Sequence, residues 1–395
     1  MFEREENPLN VKKSDIVVGL ASYNEADSIA YPAQQSSLGL QKYYGKERSV
    51  IINCDNHSPD GTELSFFGTE TKIPKIYITT PADITGKGYN FENLFRKVLE
   101  LDAEILVCLD ADLLSVTPEW IKNFVEPIRA GYDFVTPIYS RHKYDGTITN
   151  NICYPIVYGL FCKNIRQPIG GDFAVSRRFA QHLVCQPWHK TTEEYGIDIF
   201  MTMNAILGGY KICSTGLGAK VHKPSAPKLG PMFMQVVSSA FLTILTHYDK
   251  WRNLSKIEEQ EVFGLKEMSP PQELTIDRVA IEKQARDSFR HNQGILETFL
   301  SPKVYSEITN NFNSDTIDID ADLWVTTVYD MITAFKTTDD VSVLLEAFKG
   351  LYFGRTISFM NQTWDWKNEK AEEEILNQAK LFHKKRDYLI KRLDR

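Results

Sequence analysis

Apolar residues form short, nearly continuous runs through the first third of the chain, at residues 15–21, 49–54, 75–79, 104–109 and 133–138. Each is rich in Ile, Val and Leu, and several end in turn-forming residues, which predicts buried strands. Between them the apolar positions fall at helical spacing. Residues 28–43 predict one helix, and Phe91, Leu94, Phe95, Val98 and Leu99 mark one face of a second. Pro118 opens a third, which carries Trp120, Ile121, Phe124 and Val125. Strands alternating with helices predict an α/β fold with a mostly parallel, Rossmann-like sheet covered on both faces. Such sheets bind ligands beyond the carboxyl ends of their strands. The polar clusters at Asn24-Glu25, Asp55 and Asp110/Asp112 each follow a predicted strand, so they are expected to meet at one edge.

From about Pro231 the pattern turns helical, with predicted helices over 233–251, 341–348 and 369–393 and a break at Pro270-Pro271. The boundary is therefore placed between an α/β domain, 1–228, and a mainly α-helical C-terminal region, 229–395. Ile375, Ala379, Phe382 and Leu389 form an apolar stripe on the last helix, expected to pack within its own domain. No internal repeat or low-complexity linker interrupts the chain.

The net charge of −7 argues against nucleic acid as the main partner, because phosphate backbones require a basic face. The first fifteen residues lack an apolar signal segment. The run 232–245 contains Gln235, Ser238, Ser239 and Thr243 and is too short and polar for a bilayer span of roughly 20 residues. Six cysteines without a CxxC pair read as reduced core residues, so a cytoplasmic protein is expected.

The segment CLDADLLS, residues 108–115, ends an apolar run in two aspartates. Carboxylates at i and i+2 past a strand can share one hard divalent cation, or divide between metal and ribose. His222, between Lys220 and Lys223, is a candidate second ligand, since imidazole binds manganese beside carboxylates. Asp55 opens the turn DNHSPDGT and either caps it or accepts hydrogen bonds from a nucleoside. Glu25 either binds a ribose hydroxyl or lies in the first turn of a helix, where negative charge is favoured. Gly86-Lys87-Gly88 lacks the spacing of a P-loop, yet offers amides and a cation to a phosphate. Gly170-Gly171 before Asp172 permits close backbone approach, and Asp198 lies among apolar residues.

The order Asn24-Glu25, Asp55 with SPDGT, Gly86-Lys87-Gly88, Asp110-Ala-Asp112, PIGGD ending at Asp172, YGID ending at Asp198, and His222 resembles the GT-A glycosyltransferases. Within them it is similar to the glucosyl-3-phosphoglycerate synthases and, more distantly, the mannosylglycerate synthases. The resemblance spans roughly residues 14–225. It implies that Glu25, Asp55 and Lys87 hold the nucleotide, and that Asp112 and His222 bind Mg²⁺ or Mn²⁺ with Asp110 on the ribose side. It further implies that Gly170, Gly171 and Asp172 line the sugar and that Asp198 lies near the hexose and acceptor. A retaining, metal-dependent hexosyl transfer from a nucleoside diphosphate sugar to glycerate or 3-phosphoglycerate follows, as does a homodimer.

The sequence departs from that family where its acceptor segment carries an arginine: here the stretch reads Gly146-Thr147-Ile148-Thr149. Threonine does not replace a bidentate Arg–phosphate contact. Thr147, Thr149 and Arg141, with His142, are the candidate acceptor residues, and glycerate becomes as good an acceptor as its phosphate. Three other readings stay open: a transferase of this fold with another acceptor, a sugar-phosphate nucleotidyltransferase, and a non-catalytic nucleotide-sugar binder. The nucleotidyltransferase expects a Gly- and Arg-rich loop after the first strand, where Ala21-Ser-Tyr-Asn-Glu stands instead. The non-catalytic reading leaves Asp110, Asp112 and His222 without a task.

Overall fold

The computed structural model describes residues 2–223, 229–267 and 269–395. A nine-stranded sheet contains β1 (Arg4–Glu6), β2 (Ile16–Ser22), β3 (Ser49–Asp55), β4 (Lys75–Thr79), β5 (Ile105–Asp110), β6 (Phe134–Ser140), β7 (Phe173–Ser176), β8 (Ile212–Ala219) and β9 (Val262–Gly264). Their order across the sheet is β1-β4-β3-β2-β5-β7-β6-β8-β9. The strands β4, β3, β2 and β5 pair in parallel, as do β6, β8 and β9. Two strands run antiparallel: β1 beside β4, and β7 between β5 and β6. The five strands expected from the apolar runs are all present. The antiparallel pair β1 and β7 had no sequence signal, because three or four residues are too few to establish a period.

The strands are apolar because helices cover the sheet. β3 is buried at every position. Helix Lys87–Glu100 buries Phe91, Leu94, Phe95 and Val98, each such side chain contributing about 1.5–3 kcal/mol. It sits close to β2 because residue 19 is glycine: a Cβ there would stand 2.5 Å from Leu94 Cδ2. Helix Pro118–Arg129 starts at Pro118 and buries Trp120, Ile121, Phe124 and Val125.

The chain forms two compact units, each built from more than one segment. One comprises residues 1–140, 169–227 and 260–272; the other comprises 141–168, 228–259 and 273–395. Residues 141–168 thus group with the C-terminal helices although they lie within 1–228.

The second unit is mainly helical. A π-helical turn, Thr149–Cys153, leads into helix Tyr154–Phe161. Helices Leu229–Thr246, Arg278–Phe299, Pro302–Asn313, Ala321–Thr337, Val341–Thr363 and Asn368–Leu393 follow. Ile375, Ala379, Phe382 and Leu389 are buried. Phe382 packs so closely on helix Tyr154–Phe161 that a Cβ at Gly159 would lie 2.5 Å from its Cβ. The helix Leu229–Thr246 extends the apolar run at both ends, which corrects the expectation drawn from 232–245. By length and composition alone it is long and apolar enough to cross a membrane, and 39% of it is buried. Phe233 packs on Phe348 and Tyr352, and Phe241 on Phe335 and Phe348. All six cysteines are free thiols.

Candidate active site

Strand register brings the distant polar clusters together. Ser22 at the end of β2 is level with Asp55 at the end of β3, which is level with Thr79 at the end of β4. On the other side of β2, Ala21 is level with Asp110. The carboxyl edge therefore collects Glu25, Asp55, Asp110 and Asp112 without any one segment encoding the site.

Two loops at this edge are joined by hydrogen bonds from the backbone of one to the side chains of the other. The amides of Asn24, Glu25 and Ala26 donate to Ser58 Oγ, Thr62 Oγ1 and Asp60 Oδ2 at 2.8, 3.0 and 3.0 Å. Asp55 is buried and accepts from Ser22 Oγ (2.6 Å), Ser58 N (2.6 Å) and Ser58 Oγ (2.7 Å). It ties β2, β3 and the SPDGT turn into one piece. Glu25 accepts from Ser28 Oγ at 2.6 Å and from Lys223 Nζ at 2.7 Å. Lys223 also reaches Asp27 at 2.6 Å.

The centre is an ionic network. Lys87, in the first turn of helix Lys87–Glu100, lies 2.8 Å from Asp110 Oδ1 and 3.3 Å from Asp198 Oδ1, and donates to the Gly171 carbonyl at 3.1 Å. Lys220, immediately after β8, donates to Asp110 Oδ2 (3.0 Å), the Gly170 carbonyl (3.0 Å) and Asp172 Oδ2 (2.8 Å). Asp172, just before β7, is fully buried and also accepts from the Asp110 amide at 2.8 Å and from the Tyr139 hydroxyl. Asp198, in the first turn of helix Ile197–Leu207, accepts from the Gly171 amide at 3.0 Å through Oδ2. Its Oδ1 is buried and, despite the proximity of Lys87, makes no hydrogen bond.

The electrostatics follow from these partners. Burial alone would raise the Asp110 pKa, but Lys220 and then Lys87 overcome it and hold the carboxyl ionised well below the usual range. Burial likewise opposes the Lys87 charge, and Asp110 followed by Asp198 more than offsets it, so the ammonium titrates above its ordinary value. At Asp198 burial prevails over Lys87 and the pKa is raised.

Gly171 adopts φ +92°, and a Cβ would lie 2.4 Å from Asp110 Oδ2 and 2.7 Å from Lys220 Nζ. Only glycine accommodates both the backbone angle and the two charged groups against it. Gly88 similarly lets the helix carrying Lys87 approach the chain at 192–194: a Cβ there would lie 2.0 Å from the Thr192 carbonyl, and its amide donates to the Glu194 carbonyl at 3.0 Å.

Asp112 contrasts with its neighbour. It makes no hydrogen bond or ion pair among the described residues. Burial, then Asp110, push its pKa up to about 6, with Glu25 and Asp172 adding to the rise and Lys220 opposing it. Its loop is stitched to the His222 segment: Leu114 N donates to the Val221 carbonyl, and Val221 N donates to Ser115 Oγ, both at 2.9 Å. His222 Nδ1 lies 2.7 Å from the Lys223 carbonyl, an acceptor that a proton on Nδ1 satisfies. No group of three or more His, Cys, Asp or Glu suited to a metal occurs among the described residues. A partnerless carboxylate in a negative field, with an imidazole on the adjoining segment, nevertheless fits a hard divalent ion that keeps water and phosphate oxygens in its shell.

The network unites Lys87, Asp110, Gly170, Gly171, Asp172 and Asp198, with Asp55 and Glu25 along the same edge. Arg141, Thr147 and Thr149 belong to the helical unit. There the Thr147 hydroxyl is hydrogen-bonded to the Tyr352 hydroxyl. Sequence reasoning missed Lys220 and Tyr139 as members of the network. The available signal was their position, each at the end of a strand feeding the same edge.

Residues 70–223 match the family model of the mannosylglycerate synthase GT domain. The chain carries a glycosyltransferase domain. This agrees with the fold class expected from the sequence. No curated protein matches the chain. Among solved structures, glucosyl-3-phosphoglycerate synthase from Mycobacterium tuberculosis with Mg²⁺ and UDP is similar at 23% identity and a TM-score of 0.47, over 58% of this chain and 79% of that one. The same enzyme with Mn²⁺, UDP and glucosyl-3-phosphoglycerate gives 22% and 0.48, over 58% and 80%. Likeness at this level decides nothing about activity.

Proposed function

We propose that this glycosyltransferase moves a hexose from a nucleoside diphosphate sugar to a small hydroxy acid of the glycerate type, with retention of anomeric configuration and dependence on Mg²⁺ or Mn²⁺. The observation that carries the reading is the ionised, lysine-clamped Asp110 two residues from a partnerless Asp112 at the carboxyl edge of the sheet. The family match over residues 70–223 supports the same chemistry.

In this reading Glu25 and Asp55 face the nucleoside, and Asp110 the ribose. Asp112 and His222 hold the cation, which when bound neutralises charge on the leaving diphosphate. Lys87 and Lys220 keep Asp110 ionised and fixed, so that the charge pattern needs no rearrangement when donor arrives. Asp198, positioned by the Gly171 amide, offers its unsatisfied Oδ1 to a sugar or acceptor hydroxyl. The acceptor hydroxyl attacks from the face that the diphosphate leaves, and its proton passes to the departing phosphate oxygen. No protein nucleophile takes part.

The test is release of nucleoside diphosphate from UDP-glucose and GDP-mannose with D-glycerate, with Mn²⁺ and with chelator. Metal-dependent release and a glycosylated glycerate are expected. Asp112→Ala should lower turnover by about 100- to 1,000-fold, the scale of losing one main electrostatic stabiliser. Full turnover in that variant with metal present defeats the assignment.

A further inference from the structure

The chain between residues 188 and 200 carries Asp198, and it is fastened to the helix that begins with Lys87. Gly88 and Phe95 stand seven residues apart on that helix, hence on one face. Trp188 packs on Phe95 with ring centroids 6.4 Å apart, and on Phe200, two residues beyond Asp198, at 5.2 Å. At the start of the helix the two backbones touch. The Gly88 amide donates to the Glu194 carbonyl at 3.0 Å, and a Cβ at Gly86 would stand 2.3 Å from the Glu193 carbonyl. Tyr89 adds a side-chain link: its hydroxyl donates to Glu193 Oε2 at 2.7 Å. Burial, then Glu193, push the Tyr89 pKa up to about 12, so the hydroxyl keeps its proton and stays the donor at neutral pH.

The consequence falls on Lys87 and Asp198. Each stands in the first turn of its helix, and Lys87 Nζ lies 3.3 Å from Asp198 Oδ1 without a hydrogen bond. Opposite charges in a buried site attract strongly. An unsatisfied Oδ1 beside an ammonium therefore requires that the two helices be held at a fixed spacing. Asp198 Oδ2 is tied to the Gly171 amide. The second restraint is the set of attachments at Trp188, Tyr89 and the Gly86–Gly88 backbone.

We propose that Tyr89 and Glu193 are positioning residues: with Trp188 and the Gly86–Gly88 contact they form a clasp that holds Asp198 short of a full ion pair with Lys87 and leaves Oδ1 to the acceptor hydroxyl. The acceptor role of Asp198 rests on the transferase reading above; the clasp itself does not. Without the clasp, Lys87 and Asp198 close on each other, which satisfies Oδ1 and withdraws it from the acceptor. The nucleoside end of the site, at Glu25 and Asp55, is held by other bonds. The clasp thus governs the acceptor half of the reaction.

Kinetics at saturating donor with D-glycerate varied, calorimetry with UDP and with GDP in Mn²⁺, and amide hydrogen exchange test this on the full chain. Tyr89→Phe and Glu193→Ala should each raise the D-glycerate KM by about 5- to 10-fold, the scale of one hydrogen bond to a charged group, and leave nucleotide affinity as in the wild type. The double variant should be no worse than either single one, because both remove the same bond. Glu193→Gln, which keeps an acceptor for the Tyr89 hydroxyl, should restore most of the KM. In Tyr89→Phe the amides of residues 192–200 should exchange faster, while those of helix Pro118–Arg129 should not. An unchanged KM in Tyr89→Phe, additive effects in the double variant, or an equal loss of nucleotide affinity overturns the proposal. If the wild type transfers no sugar, the transferase reading fails and exchange decides the clasp: faster exchange at 192–200 in Tyr89→Phe sustains it, and exchange at the wild-type rate overturns it.

Discussion

Lysine and arginine do different work in the two units. At the sheet edge, Lys87 and Lys220 are turned inward and consumed: each faces two carboxylates and a backbone carbonyl, and Lys220 is only 4% exposed. In the helical unit, Arg166 is anchored by Nε and Nη2 to Glu372 and Asn150 and stays a fifth exposed. Ammonium groups suit the first task because a compact point charge can sit among several oxygens; the planar fork suits the second because it meets a carboxylate at two points. The sheet edge is thus preorganised by satisfying its own buried charges, whereas Arg166 ties two segments of the helical unit together at its surface. Asp112 is the exception at the edge, a carboxylate with no hydrogen bond or ion pair among the described residues.

The strongest way to test the contrast is to remove a consumed charge. Lys220→Met leaves Asp110 and Asp172 without a shared cation, and a broken buried ion pair costs about 3–5 kcal/mol; urea denaturation should show a loss of that order together with lost turnover. Asp112→Ala should separate the two effects. Because Asp112 has no partner to strand, its denaturation midpoint should stay close to the wild type while catalysis collapses. Equal destabilisation in both variants would erase the distinction between them. Gly171→Ala comes next: the positive φ and the Cβ contact with Asp110 and Lys220 should cost about 1–3 kcal/mol of stability, visible as a lower thermal midpoint.

The smallest effect concerns pH in the helical unit. Burial, aided by Lys143 and opposed by Glu273 and Asp145, depresses the His142 pKa. The unfolded chain therefore binds this proton more readily than the native protein. The stability contributed by neutral His142 is present above its unfolded pKa of about 6.5 and is lost as pH falls through that value toward the depressed native one. His142→Asn should flatten the fall in thermal midpoint between about pH 7 and pH 5 relative to wild type. An unchanged slope means that other groups set it.

The elements that depend on local physics are legible in the order of residues. Five apolar runs gave five strands, Pro118 opened its helix, and the aspartates after residue 109 ended a strand, because strand burial and helix initiation are written within a few neighbouring residues. The same locality placed Glu25, Asp55 and Asp110 at strand ends, and a parallel sheet must align such ends. Tertiary structure alone decided how the charges are compensated. Lys220 reaches Asp110 across 110 positions and Arg166 reaches Glu372 across 206. The antiparallel β7, four residues with no period, carries Asp172 into the network only because β5 and β6 leave a slot for it. No window of sequence contains both members of these pairs. Each is chosen because a buried charge is costly until a partner of opposite sign arrives, and only the folded chain decides which partner does.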